Sequence, residues 1–133
     1  MTVRFNITIL VTGGRNFGVG NTREVEALWE VLDRLQREGN IVVVRHGGCS
    51  GADSVADAWA KAHDVPVDVM PADWAKFGRA AGPMRNSDMV SKTVVTDGRR
   101  VCVVAYPGGR GTEDCRAKAT SGGLEIVKVR VEQ

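Results

Sequence analysis

The hydrophobic positions of this chain fall into short apolar runs separated by stretches with helical spacing. Residues 5–11 (Phe-Asn-Ile-Thr-Ile-Leu-Val) are apolar and β-branched, which predicts a strand. Asn21 or Thr22 then offers a helix cap, with Glu24 and Glu26 in the early turns, where acids complement the helix dipole. Val25, Leu28, Trp29, Leu32 and Leu35 recur at three- and four-residue spacing and form one helical face, which Gly39-Asn40 terminates. Residues 41–44 predict a second strand. Beyond the glycine-rich loop that ends at Gly51, Val55, Ala56, Trp59, Ala60 and Ala62 are the apolar positions of a second helix.

The rest of the chain continues the alternation. Residues 66–70 predict a third short strand, 71–83 an irregular stretch holding Trp74, Phe77 and Gly78, and 84–91 a helix. Residues 93–100 are ambiguous, with a turn at Asp97-Gly98. Residues 101–105 predict a fourth strand. A helix then starts near Thr112 and stops at Gly122-Gly123, and residues 125–131 form the last strand. Strands that are apolar on both faces, alternating with helices, imply a parallel sheet covered on each side. The expected fold is a small doubly wound α/β domain of about five mainly parallel strands, one domain over residues 1–133.

Composition narrows the class. At 133 residues the chain suits one domain, and its 43% hydrophobic and 26% charged residues are those of a globular protein. The 18 basic and 16 acidic residues nearly cancel to +2, which argues against coating nucleic acid by bulk charge. Cys49, Cys102 and Cys115 are odd in number and widely spaced, so neither a disulfide framework nor a cysteine zinc site is expected; with only His46 and His63 besides, no metal and no cofactor are assigned. The N-terminal apolar run, 7–11, is too short for a signal peptide or a membrane span, and a cytoplasmic protein without membrane contact is expected.

The candidate chemistry lies in glycines. Gly13-Gly14 follows the first strand, Gly47-Gly48 with Gly51 the second, and Gly108-Gly109 with Gly111 the fourth. In a parallel sheet these loops share the carboxyl edge, where open α/β sheets bind ligands. Glycines let backbone N–H groups approach a ligand, and helix starts add partial positive charge, which together suit a phosphate. No GxxxxGK[ST] loop is present, and Gly18-Val19-Gly20 lacks the third glycine of a dinucleotide fingerprint. Arg85 and Arg110 are planar charged donors suited to phosphate oxygens, and Arg15 and Arg79 can join them. Asp53 either binds its own backbone at a helix start or accepts from a ribose. Trp74 and Phe77 either stack on a base or, the better-supported reading, pack in the core or anchor the loop. Trp29 and Trp59 read as core, Cys49 and Cys115 as inert filler, and His46 as structural.

Val11-Thr-Gly-Gly-Arg15, His46-Gly-Gly-Cys-Ser-Gly-Ala-Asp53, Pro71-Ala-Asp-Trp74, Gly82-Pro-Met-Arg-Asn86 and Pro107-Gly-Gly-Arg-Gly-Thr112 together resemble the YspA-like branch of the SLOG superfamily. That superfamily also holds the LOG phosphoribohydrolases and the DNA-processing protein DprA. The resemblance implies a Rossmann-like fold, a nucleotide or nucleotide-derived ligand, and a homodimer. It makes Gly108, Gly109, Gly111 and Thr112 phosphate-binding candidates, because 107–112 is similar to the LOG phosphate motif. Arg85 and Asn86 resemble the site arginine of LOG proteins and the Arg-Asn pair of DprA, and Asp53 resembles the aspartate that begins a helix in both branches. Ser50 stands where the family often has arginine. The catalytic LOG glutamate, three residues after the threonine, is Cys115 here; Glu113 and Asp114 are the substitutes, and with Arg85 they complete the catalytic candidates.

Three functions follow. The first is a sensor, carrier or sequestering protein that binds a nucleotide-like small molecule through Gly13, Gly14, Arg15, Gly47, Gly48, Ser50, Asp53, Arg85, Asn86, Gly108, Gly109, Arg110, Gly111 and Thr112. The second is a LOG-like hydrolase of the N-glycosidic bond of a nucleoside 5′-monophosphate, which needs a carboxylate near the anomeric carbon. The third, single-stranded DNA binding by analogy with DprA, needs a basic groove with exposed aromatics, whereas aromatics are 5% of the chain.

Overall fold

A computed structural model describes residues 5–94 and 100–129. Its elements in chain order are β1 (Asn6–Thr12), α1 (Thr22–Glu38), β2 (Asn40–His46), α2 (Ala52–Ala62), β3 (Val67–Val69), α3 (Trp74–Phe77), a 3₁₀ turn (Gly78–Ala80), α4 (Ala81–Val94), β4 (Arg100–Ala105), α5 (Arg110–Ser121) and β5 (Glu125–Lys128). The strands form one sheet in the order β3-β2-β1-β4-β5, with every neighbouring pair parallel.

The central strand explains why both faces are covered. Successive side chains of β1 point to opposite sides. Ile7, Ile9 and Val11 join Leu28, Leu32 and Leu35 of α1 and Ala56, Trp59 and Ala60 of α2 in one core. Leu10 joins Met89 and Val90 of α4, Val103 of β4, and Cys115 and Ala119 of α5 in a second, smaller core. Each fully buried leucine of α1 contributes about 1.5–3 kcal/mol of transfer free energy. Trp59 is fully buried with its ring N–H donated to Asp33 at 2.9 Å, so its polar atom is satisfied. Trp29 is half-buried, packs against the first core and donates to the Val55 carbonyl at 3.2 Å, whereas Ala62 is exposed.

Boundaries differ from the sequence pattern where capping chemistry intervenes. Asn21 caps α1, its side chain accepting from Glu24 N at 3.2 Å. The stretch read as irregular is helical: Asp73 caps α3 by accepting from Lys76 N at 3.1 Å. Helix α4 starts at Ala81 and runs to Val94, longer at both ends than residues 84–91. Pro83 does not break it, because a first-turn residue has no carbonyl for its missing N–H to bond. Helix α5 likewise starts at Arg110, ahead of Thr112, and β5 stops at Lys128. The expected Asp97-Gly98 turn lies outside the described residues, as does the tail of the last predicted strand beyond 129.

Chain order reverses beside β1: β2 and β3 lie on one side, β4 and β5 on the other. The loops after β1 and β4 therefore diverge to opposite faces and leave a crevice at their carboxyl ends. Among the described residues, no helix is long and apolar enough to cross a membrane.

Candidate functional site

The crevice is a cavity of about 670 Å³, within the usual size of small-molecule sites. The first and fourth strand loops supply Gly13, Gly14 and Arg15 on one side and Gly109, Arg110, Gly111 and Thr112 on the other. Gly14 N donates to the Pro107 carbonyl at 3.0 Å, which clamps the two loops together. Helix α4 supplies Pro83, Arg85, Asn86 and Met89, and α5 supplies Asp114. Cys49, Asp53, Trp74 and Arg79 also line the cavity.

Of the residues singled out in the sequence, these loops bring together Gly13, Gly14, Arg15, Asp53, Arg85, Asn86, Gly109, Arg110, Gly111, Thr112 and Asp114. Gly47, Gly48, Ser50, Gly108 and Glu113 do not line the cavity. The second loop is wired to the protein itself: Gly47 N and Cys49 N donate to Asp53 Oδ2 at 3.1 and 3.2 Å, and Gly48 N donates to His46 Nδ1 at 2.9 Å. Its N–H groups thus satisfy internal acceptors rather than facing a ligand. Ser50 Oγ donates to the Arg15 carbonyl at 3.1 Å, and Glu113 is exposed and paired with Arg116 at 2.8 Å. Gly108 is pressed against Thr112 and the Gly14 backbone, so it shapes the loop.

Gly51 is the tightest point of the second loop. It adopts φ +80°, and a Cβ there would fall on the Gly14 carbonyl oxygen and the Arg15 backbone. Only glycine fits a left-handed backbone packed against other backbone. In contrast, a Cβ on Gly109 or Gly111 meets nothing within 4 Å. Those two glycines face open space at the start of α5, whose N-cap, Gly109, offers no side chain to its first-turn N–H groups.

Two adjacent residues of α4 tie the cavity walls. Arg85 Nη1 donates to the Gly47 carbonyl at 2.7 Å, and its Nε donates to Asn86 Oδ1 at 3.0 Å. Asn86, buried, donates through Nδ2 to the Gly111 carbonyl and to Asp114 Oδ2, both at 3.1 Å. Lys118 adds a bond to the same Asp114 oxygen at 2.8 Å.

The two carboxylates of the wall are in different electrostatic states. Burial pushes the Asp53 carboxyl up, against the lowering effect of the Cys49 and Gly47 N–H groups and the charge of Arg85. For Asp114 burial also acts upward, but the bonds from Lys118 and Asn86 outweigh it and hold the carboxyl below its ordinary range. Cys115 lies three residues after Thr112; it is fully buried, and burial pushes its thiol up. It offers neither a carboxylate nor access to the cavity. The buried Tyr106 hydroxyl has no hydrogen-bond partner among the described residues, and burial with the nearby Asp53 charge pushes its pKa up.

The guanidiniums dominate the wall: Arg15, Arg79, Arg85 and Arg110 face two aspartates. Arg15, Arg79 and Arg110 form no ion pair among the described residues. Among the described residues, no group of three or more His, Cys, Asp or Glu side chains is placed to hold a metal ion. Sequence pattern left Trp74 and Phe77 between stacking on a base and packing in the core or anchoring the loop; they are 48% and 40% exposed, so neither packs in the core, and Trp74 lines the wall. The available signal was Asp73, a helix cap three residues before Lys76, which ends the irregular loop at Trp74.

A model of the family described as YspA, cpYpsA-related SLOG family matches residues 7–77. The Gene 61 protein of Mycobacterium phage D29 is 35% identical over 127 residues, covering 90% of this chain and 93% of that protein.

Proposed function

Since this chain belongs to the YspA, cpYpsA-related SLOG family, we propose that it binds a phosphorylated, nucleotide-derived small molecule in the crevice between the β1 and β4 loops. One observation carries this reading. Three arginines without carboxylate partners among the described residues share the cavity with the uncapped start of α5. Free guanidiniums offer paired donors to phosphate oxygens, and the helix start adds N–H groups and a partial positive charge. A neutral ligand would leave that positive field unanswered. Equilibrium binding of the common nucleoside 5′-monophosphates and of the matching nucleosides tests it. The phosphorylated forms bind more tightly, and the difference shrinks with salt; equal affinity for both sets overturns the proposal.

Asp114 favours a second reading, hydrolysis of an N-glycosidic bond. It is a cavity-lining carboxylate held ionised by Lys118 and Asn86, whose Oδ1 accepts no hydrogen bond among the described residues. Such a group stabilises an oxocarbenium-like transition state or orients water. Release of free base from a nucleoside monophosphate, abolished in Asp114→Asn, supports this reading; binding without release leaves the protein a binding module.

A further inference from the structure

Resting on the phosphate-binding reading above, we infer that Trp74 is the residue that selects a planar heteroaromatic ring on the ligand, holding it against the Arg15 guanidinium. Trp74 lines a concave site yet is 48% exposed, so packing accounts for only part of its apolar area and the rest stays in water. The ring is nevertheless held in place. Asp73 caps its helix, and the ring edge lies on Gly82 at the start of α4, where a Cβ would stand 3.0 Å from Trp74 Cη2. The bare Gly82 backbone is thus a bed for one part of the indole, while about half of the residue remains open.

Arg15 reaches toward the same ring from the β1 loop, its Cζ 6.0 Å from the ring centroid. Direct stacking brings such groups to about 3.5–4 Å, and a planar ring inserted between them needs about 7 Å, two contact distances. The centroid distance of 6.0 Å lies between these limits. Arg15 is exposed and forms no ion pair among the described residues, so a movement of about 1 Å admits a flat ring. Nucleobases stack on both aromatic rings and guanidinium planes. Pro83 and Met89 line the same cavity, adding apolar surface for the ring, while Arg110 and the α5 start suit the phosphate.

Calorimetry on the wild type, Trp74→Ala and Trp74→Phe tests this, with two probes: the four common nucleoside 5′-monophosphates and ribose 5-phosphate, which lacks a base. The best-bound nucleotide should lose about tenfold or more affinity in Trp74→Ala and regain most of it in Trp74→Phe. Ribose 5-phosphate should bind all three proteins alike. If Trp74→Ala binds the nucleotide as the wild type does, or weakens both probes equally, the inference is overturned while the phosphate reading stands. If neither probe binds the wild type, the phosphate reading itself falls, and this inference with it.

Discussion

Arg85 and Asn86 are consecutive on α4, joined by a 3.0 Å bond from Arg85 Nε to Asn86 Oδ1, and they hold opposite walls of the cavity. That bond also orients the amide. With Oδ1 accepting from Arg85, Nδ2 faces the Gly111 carbonyl and Asp114. The arginine meanwhile anchors the loop after β2 through the Gly47 carbonyl. The pair is therefore both a rivet and part of the wall.

Asn86→Ala removes three hydrogen bonds at a residue 4% exposed. It leaves the Gly111 carbonyl and Asp114 short of a donor, and should destabilise the fold by about 2 kcal/mol. Urea unfolding monitored by circular dichroism measures it; an unchanged midpoint contradicts the rivet role.

Arg85 and Arg110 should separate stability from binding. Arg110 is exposed, with no ion-pair or hydrogen-bond partner among the described residues, so Arg110→Ala should unfold like the wild type yet bind phosphorylated ligands about tenfold or more weakly. Arg85→Ala should lose both stability and binding, because the Gly47 carbonyl loses its donor. Weaker binding should be larger for nucleotides than for nucleosides in both variants, and equal losses would contradict a phosphate role.

Two glycines of the same edge should respond oppositely to substitution. Gly109→Val places atoms in the open cavity and should abolish ligand binding while changing stability by no more than about 1 kcal/mol. Gly51→Ala must accommodate a left-handed backbone and a collision with the Gly14 carbonyl, and should destabilise by about 2–4 kcal/mol. Thermal melts with parallel binding titrations of the two variants distinguish these effects.

The Arg45–Asp68 pair carries a pH dependence with a definite sign. Arg45 is buried and donates to Asp68 Oδ2 at 2.7 Å, and Lys92 donates to the same oxygen at 2.8 Å. Those bonds, Arg45 first, hold the Asp68 carboxyl below its ordinary value of 3.8. A carboxyl lowered by folding adds stability that is complete above the unfolded-state value and disappears as pH falls through the folded-state one. Asp68→Asn should therefore be less stable by about 2 kcal/mol at pH 7. The gap should begin to close as pH falls past 3.8 and vanish only after pH has also fallen through the lower folded-state value, where the wild-type carboxyl is itself neutral. A gap that persists unchanged into strong acid would show that the charge is not the cause.

Much of the architecture was legible from residue order. Val25 to Leu35 spacing, the β-branched run of β1 and the glycines after three strands each report a local preference that survives in the folded chain. Parallel strands with helices between them, and the gathering of the β1 and β4 loops at one edge, follow from that alternation. What residue order left open was which groups would be consumed internally. Gly47 and Gly48 look as suited to a ligand as Gly109, but Asp53 and His46, brought to them by α2 and β2, take up their N–H groups. Glu113 and Asp114 are neighbours with like chemistry, yet the rotation of about 100° per residue along α5 points the first to Arg116 in solvent and the second to Asn86 in the cavity. Trp74 carries the apolar signature of a core residue and sits at the cavity wall instead. Hydrophobic spacing depends on neighbours three or four residues away, so it is written in the chain; the direction of a side chain and the partner that meets it depend on elements tens of residues distant, and only packing decides them.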